Sequence, residues 1–152
     1  MSTEASGSAP SRMIFVNLPV TDLARSTAFY EALGARKDER FCDDTASCMV
    51  LSDIIHVMLL THNKFRMFTT REIADAKTSA QAILALSAEN RAGVDDLVGK
   101  AGAAGGKMDH GPQQDHGMMY GRSFEDPDGH IWEVIWMDVD AFMAAKGHSA
   151  AA

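Results

Sequence analysis

One half of this chain repeats the plan of the other, and that repeat limits the fold more than any other feature of the sequence. Met13–Val20 (MIFVNLPV) has the Ile, Val, Leu and Phe content of a strand. Thr21-Asp22 offers an N-cap. Asp22–Leu33 follows as a helix, with Leu23, Thr27, Tyr30 and Leu33 on one face and a stop at Gly34. Strands are predicted over Arg36–Cys42, Ala46–Leu51 and Ile54–Thr61, with turns at Asp43-Asp44 and Ser52-Asp53. The plan then restarts with a strand over Gln81–Ala88. A helix over Asn90–Ala104 follows, with Val94, Leu97, Val98 and Ala101 at helical spacing and an end at Gly105-Gly106. A short strand over Lys107–Gly111 comes next. Strands over Met118–Glu125 and His130–Met137 then flank the turn Asp126-Pro127-Asp128-Gly129. VNLPVTDL (Val16–Leu23) lies over LALSAENR (Leu84–Arg91) in period and element order, while few identities match.

The expected fold class is therefore α+β: two β-α-β-β-β modules whose curved mixed sheets form a cleft, with helices outside. Residues 1–12 are Ser-, Ala- and Gly-rich without an apolar signal core and are read as a disordered leader. The first repeat spans 13–62, a connector 63–79 and the second repeat 80–138; residues 139–152 form a C-terminal helix (Val139–Lys146) and tail. Within the connector, Thr69-x-x-Glu72 has the form of a capping box, which predicts a helix over Thr70–Ala76. Phe65, Met67 and Phe68 just before it are expected to be buried, either patching a core edge or walling a pocket.

Composition narrows the function classes. The chain's 152 residues fit one domain, and 46% hydrophobic with 23% charged residues excludes a disordered or fibrous chain. No apolar run approaches the roughly 18 residues a membrane helix needs. Lys plus Arg number 14 against 21 Asp plus Glu, a net charge of −7 with no basic stripe, which argues against nucleic-acid binding. Cys42 and Cys48 are too few for a disulfide scaffold and are read as free thiols in a reducing cytoplasm.

The last strand holds the most informative polar residue. Ile131, Glu133, Ile135 and Met137 share one face; His130, Trp132, Val134 and Trp136 share the other. Glu133 is thus a carboxylate among apolar neighbours, and such a group needs a metal, a cation, hydrogen-bond donors or water. It is a candidate catalytic base, or else a structural partner of Arg122 at the sheet rim. Asn17 breaks the apolar pattern of the first strand and can offer a donor and an acceptor to a ligand, or serve as a satisfied core amide. His56 lies in an apolar strand and is either a ligand-facing residue or a hydrogen-bonded core histidine. Tyr120 and Arg122 share a face of their strand, where Arg could clamp an anion and Tyr could donate a hydrogen bond. His110 and His116 sit in a Gly- and Gln-rich loop. Met49, Met58, Met118, Met119 and Met137 suggest a soft apolar interior. No Ser or Cys nucleophile motif, His-Glu-x-x-His or phosphate-cradling glycine pattern occurs.

Four features together resemble the vicinal oxygen chelate superfamily, the glyoxalase/bleomycin-resistance/extradiol-dioxygenase group. They are VNLPVTDLARSTAFYEALG (Val16–Gly34), MVLSDIIHVMLLT (Met49–Thr61), YGRSFEDPDGHIWEVIWMD (Tyr120–Asp138) and the repeated element order. The chain looks most like the bacterial branch labelled predicted lactoylglutathione lyase. That resemblance implies a homodimer, a cleft for a small organic molecule and a divalent-metal site on the first and last strand of each half. Those positions fall on Phe15, Met58 or Leu59, Ile83 and Glu133. Only Glu133 can ligate a metal, so no metal cofactor is expected unless His56, His110 or His116 supplies an unorthodox site. The expected function is ligand binding at Asn17, His56, Tyr120, Arg122 and Glu133. Glu133 would then abstract a proton next to a carbonyl in a lyase or isomerase reaction. The alternatives are a protein that sequesters a toxic or antibiotic compound and a metal-dependent lyase with unusual ligands.

Overall fold

The computed structural model describes residue 7 and residues 9–147. Most of the expected leader and the last tail residues lie outside them. Strand β1 (Ile14–Val20), helix α1 (Leu23–Ala32) and strands β2 (Arg36–Lys37), β3 (Ala46–Val50) and β4 (Ile55–Thr61) form the first half. After a short helix α2 (His62–Phe65), the second half runs β5 (Ile83–Ser87), α3 (Arg91–Ala103), β6 (Lys107–Met108), β7 (Gln114–Asp115), β8 (Met119–Glu125) and β9 (Ile131–Met137), and α4 (Val139–Ala145) follows. The sheet orders β1-β4-β3-β2 and β5-β9-β8-β6 correspond strand for strand, with β7 added beside β8. In each half the first strand lies parallel to the last, and the remaining pairs are antiparallel. The expected α+β architecture of two β-α-β-β-β modules is present.

Local chemistry sets the boundaries. The Asp22 side chain accepts from Arg25 N at 3.0 Å to start α1, and Asn90 accepts from Gly93 N at 2.7 Å to start α3. Gly34 and Gly105 follow these helices with φ of 100° and 101°, the left-handed stop that glycine adopts without a Cβ penalty.

The helices, expected outside, lie against the inward faces of both sheets. Thr27 Oγ1 donates to Ser47 Oγ of β3 at 2.9 Å, while one turn on Phe29 and Tyr30 meet Phe124 and Trp132 of the second sheet. Leu18, Val20, Val57 and Leu59 of the first sheet join Val94, Val98, Phe124, Trp132 and Val134 of the second half in one core. Each sheet therefore turns its other face outward. The halves are also bonded at β1's end. Asp128 in the β8–β9 turn accepts from Thr21 N and Oγ1 at 2.9 and 2.8 Å, and His130 Nε2 lies 2.9 Å from Pro19 O.

Three expectations are corrected. The strand expected over Arg36–Cys42 stops at Lys37, because Asp38 accepts from Arg40 N and caps a 3-10 turn over Glu39–Phe41. No helix forms over Thr70–Ala76. Thr69 Oγ1 accepts from Arg71 N at 3.2 Å and closes a local turn, the conformation that competes with a helix at Ser and Thr. Met67 and Phe68 are 73% and 70% exposed instead of buried.

Candidate functional site

Strand register assigns each candidate to a face. Glu133 pairs with Ser123 of β8 and Ala85 of β5, so the three point the same way, outward, with Ile83, Ile131, Ile135 and Met137. Its carboxylate is half-buried, and among the described residues no hydrogen bond or ion pair engages it. Glu125, two positions beyond Ser123, shares this face, with His110 Nδ1 at 3.0 Å and Lys107 Nζ at 3.7 Å from its carboxylate. His110 is thus tied to a sheet face and is not simply a solvated loop residue. The alternation Ser123-x-Glu125 is the sequence signal that could have found this second carboxylate.

Asn17, Phe15, His56 and Met58 lie on the outward face of the first sheet, in opposed pairs Phe15↔His56 and Asn17↔Met58. The Phe15 and His56 rings stack with centroids 4.6 Å apart. Asn17 Nδ2 donates to Phe15 O at 3.2 Å. Within one chain these residues and Glu133 point away from each other.

Tyr120 and Arg122 do not join either group. They pair with Trp136 and Val134, which places them on the inward face of β8 against α3. Arg122 forks onto Asp109 at 3.0 and 2.8 Å and reaches Asp95 at 3.0 Å, and Tyr120 Oη donates to the same Asp95 oxygen at 2.6 Å. A guanidinium with these partners, and a side chain only 14% exposed, is scaffold for the loop after β6. The proposed Arg122–Glu133 pair is absent, because their strand positions have opposite parity. Arg91 repeats this device nearby. It forks onto Asp115 at 2.9 and 2.8 Å and lies over the rings of Tyr120 and Trp136.

These pairs have a pH consequence. Arg91 lowers Asp115 from 3.8 to about 2. Arg122 lowers Asp109, and the Tyr120 hydroxyl together with Arg122 lowers Asp95. Depressed native values mean that this stabilisation is complete above the ordinary carboxylate range and is lost as pH falls through the native values. Stability is therefore expected to decline as pH drops from 3.8 toward about 2. Arg91→Met should flatten that slope in acid titrations followed by tryptophan fluorescence, and an unchanged slope would contradict the assignment.

Two cavities lie between the halves. One of about 540 Å³ is lined by Tyr30, Leu33, Leu51, Ala85, Leu97 and Trp132. The other, of about 530 Å³, lies under the connector and is lined by residues that include Asn17, Phe65, Arg71, Ile73, Leu84 and His130. Glu133 lines neither. Arg71 and Ile73 in this wall carry no motif that would have marked them in the sequence.

The register also tests the metal positions. Met58 pairs with Asn17 as Glu133 pairs with Ala85, so Met58, not Leu59, is the counterpart of Glu133. The four positions are then Phe15, Met58, Ile83 and Glu133: one carboxylate, one thioether and two hydrocarbons. Zinc or nickel needs three or four N, O or S donors, and this set does not fit them. Among the described residues, no group of three or more His, Cys, Asp or Glu could hold a metal ion. Cys42 and Cys48 are free, with Cys48 N donating to Cys42 Sγ at 3.3 Å. No helix among these residues is long and apolar enough to cross a membrane.

Comparison with known proteins agrees with this architecture. A hypothetical protein of S. aureus, SA1046, superposes with a TM-score of 0.69 at 27% identity, covering 86% of this chain and 95% of its own. A glyoxalase/bleomycin resistance protein/dioxygenase family enzyme from Burkholderia phytofirmans PsJN gives 0.70 at 18% identity, covering 84% and 99%. The fosfomycin resistance protein FosX from Mesorhizobium loti gives 0.60 at 20% identity, covering 89% and 97%. No curated protein matches the sequence significantly. The sequence profile of the Glyoxalase/Bleomycin resistance protein/Dioxygenase superfamily matches residues 12–134. With that match over most of its length and the paired β-α-β-β-β halves described above, the chain belongs to the glyoxalase/bleomycin resistance protein/dioxygenase superfamily.

Proposed function

We propose that this protein binds a small organic molecule at the outward face of its second sheet, with Glu133 as the group that recognises it. The observation that carries this reading is the carboxylate itself. It is half-buried among Ile83, Ala85, Ile131, Ile135 and Met137, with Ser123 opposite it on β8, and no intramolecular hydrogen bond or ion pair engages it among the described residues. Placing a charge on an apolar face costs free energy that a bound hydrogen-bond donor or cation offsets. In a catalytic version, Glu133 takes the proton from a carbon next to a carbonyl. The donor set at the family's metal positions supports a reaction carried by the protein's own residues.

The protein is proposed to act as a homodimer. Phe15 and Ile83 are 46% and 56% exposed on outward faces, and a second copy would cover them by setting one copy's first sheet against the other's second. The open aromatic surface of Phe15 favours a second reading, sequestration of a compound without turnover.

Glu133→Gln tests the main reading. The change is nearly isosteric at a half-exposed position without intramolecular partners, so the melting temperature is expected to hold within about 2 °C. A thermal-shift screen with carbonyl-bearing small molecules should yield compounds that stabilise the parent and not the variant. NMR of such a compound over time separates turnover from sequestration. Equal stabilisation of parent and variant by every binding compound would sink the assignment. Sedimentation of the full chain reports the dimer.

A further inference from the structure

Strands β1 and β5 are each an edge of their sheet, and the connector between the halves runs past both. An edge strand calls for cover, and a connector laid flat against it would be enough. This connector leaves space beneath it instead. The cavity of about 530 Å³ there is walled by Leu18 of β1, Leu84 of β5, Ile131 of β9, Phe65 of α2 and Ile73 of the connector itself. Packed interiors leave few voids larger than a water molecule, and a space of this size is that of a small-molecule pocket. Its wall is seated on the fold. Asp75 accepts through Oδ1 from Lys77 N at 3.0 Å, and through its carbonyl from Thr78 N and Ser79 N at 3.0 and 2.9 Å. That turn rests on Gly129, where φ is 96° and an added Cβ would come 2.9 Å from Lys77 N and 3.0 Å from Ala76 C.

Charge selects the occupant. Arg71 and Glu72 both line the cavity and are exposed, so it meets solvent at them. Among the described residues no hydrogen bond or ion pair engages either side chain; only the Arg71 backbone N–H is held, by Thr69. His130, also in the wall, donates through Nε2 to the Pro19 carbonyl at 2.9 Å. The Arg71 guanidinium is therefore the uncommitted donor at the mouth. Its planar fork matches a carboxylate with two parallel bonds and is weakly hydrated, so it loses little on binding. Glu72 beside it repels a second negative charge, which limits the head group to one. We propose that this cavity is a further binding site, separate from the Glu133 face, for an amphipathic monocarboxylate. Its head sits on Arg71 and its apolar body lies against Phe65, Ile73 and Leu84.

Isothermal titration calorimetry of the full chain with decanoate tests this, with decylamine, the same chain under a cationic head, as the control. Decanoate is expected to bind saturably and at least about fivefold more tightly than decylamine, although the net charge of −7 favours the cation at long range. Arg71→Gln should weaken decanoate by about five- to tenfold, Arg71→Lys by less, and Ile73→Ser by about threefold. Glu72→Gln should leave binding equal or tighter. Arg71 and Glu72 are exposed, so their variants should melt within about 2 °C of the parent. No saturable decanoate binding, equal or tighter binding of decylamine, or parent-like binding by Arg71→Gln would overturn the proposal. So would a loss in Glu72→Gln as large as that in Arg71→Gln, which would mark Glu72 as the recognising group. Glu133→Gln should bind decanoate unchanged. A loss there in place of one in Arg71→Gln would put decanoate on the Glu133 face and overturn this site alone.

Discussion

Adding one methyl group at Gly106 is expected to destabilise the protein by about 3 kcal/mol or more, lowering its melting temperature by about 6–12 °C. A Cβ built there would come 2.4 Å from the Glu125 carbonyl oxygen, 2.7 Å from Phe29 Cε2 and 3.0 Å from the Ala101 carbonyl oxygen. None of these can retreat cheaply. Glu125 is held in its strand opposite Ile131 and Lys107, and Phe29 is 1% exposed in the core. Gly106 N also donates to Ala101 O at 2.9 Å, which fixes the backbone where it is. Overpacking against side chains alone costs about 1–3 kcal/mol, and a backbone oxygen yields less than a side chain. Gly99 is the control. Nothing lies within 4 Å of a Cβ there, and the residue is inside α3, so Gly99→Ala should be neutral or stabilising by up to about 1 kcal/mol. Calorimetry of the two variants decides the point; a Gly106→Ala loss no larger than that of a typical surface change would refute the packing argument.

Tyr30→Phe removes one oxygen and leaves no sizeable cavity, yet it is expected to cost about 2–4 kcal/mol. The Tyr30 hydroxyl donates to Asp126 Oδ2 at 2.7 Å and accepts from Trp132 Nε1 at 3.0 Å. The three residues are 1%, 3% and 2% exposed, so both partners lose a bond that water cannot replace. Burial already raises the Asp126 carboxyl above its ordinary value, and loss of a donor raises it further. For an acid with a raised native value the native state holds the extra proton. Asp126 therefore weighs against folding at neutral pH, and this burden lifts as pH falls through its native value. The deficit of Tyr30→Phe should accordingly be largest near neutrality and shrink under acid. Urea unfolding at a series of pH values measures it; a deficit under about 1 kcal/mol throughout would show that the triad is not a stabilising unit.

Much of the fold was legible because its signals are local. Asp22, Asn90, Gly34 and Gly105 mark helix ends through their own side chains or their own φ, and the strand alternation of Ile131–Met137 separates Glu133 from Trp132 without help from the rest of the chain. The connector misled because Thr69 can close a turn as readily as it can cap a helix, and tertiary context chose the turn. The site was less legible. Tyr120 and Arg122 share a face, as expected, but which face looks inward depends on Asp95 and Asp109, which lie 25 or more and 13 residues from the groups they hold in Arg122 and Tyr120. Met58 against Leu59 was a question of register, and register exists only once β1 lies beside β4.

Because α1 contributes Thr27 to one sheet and Phe29 and Tyr30 to the other, neither copy of the repeated plan closes a hydrophobic interior by itself. Separated from the first half, Phe124 and Trp132 would lose their aromatic cover. The duplication is plain in topology and is expected to be invisible in thermodynamics: a chain built from two like halves sharing one core should melt as a single cooperative unit.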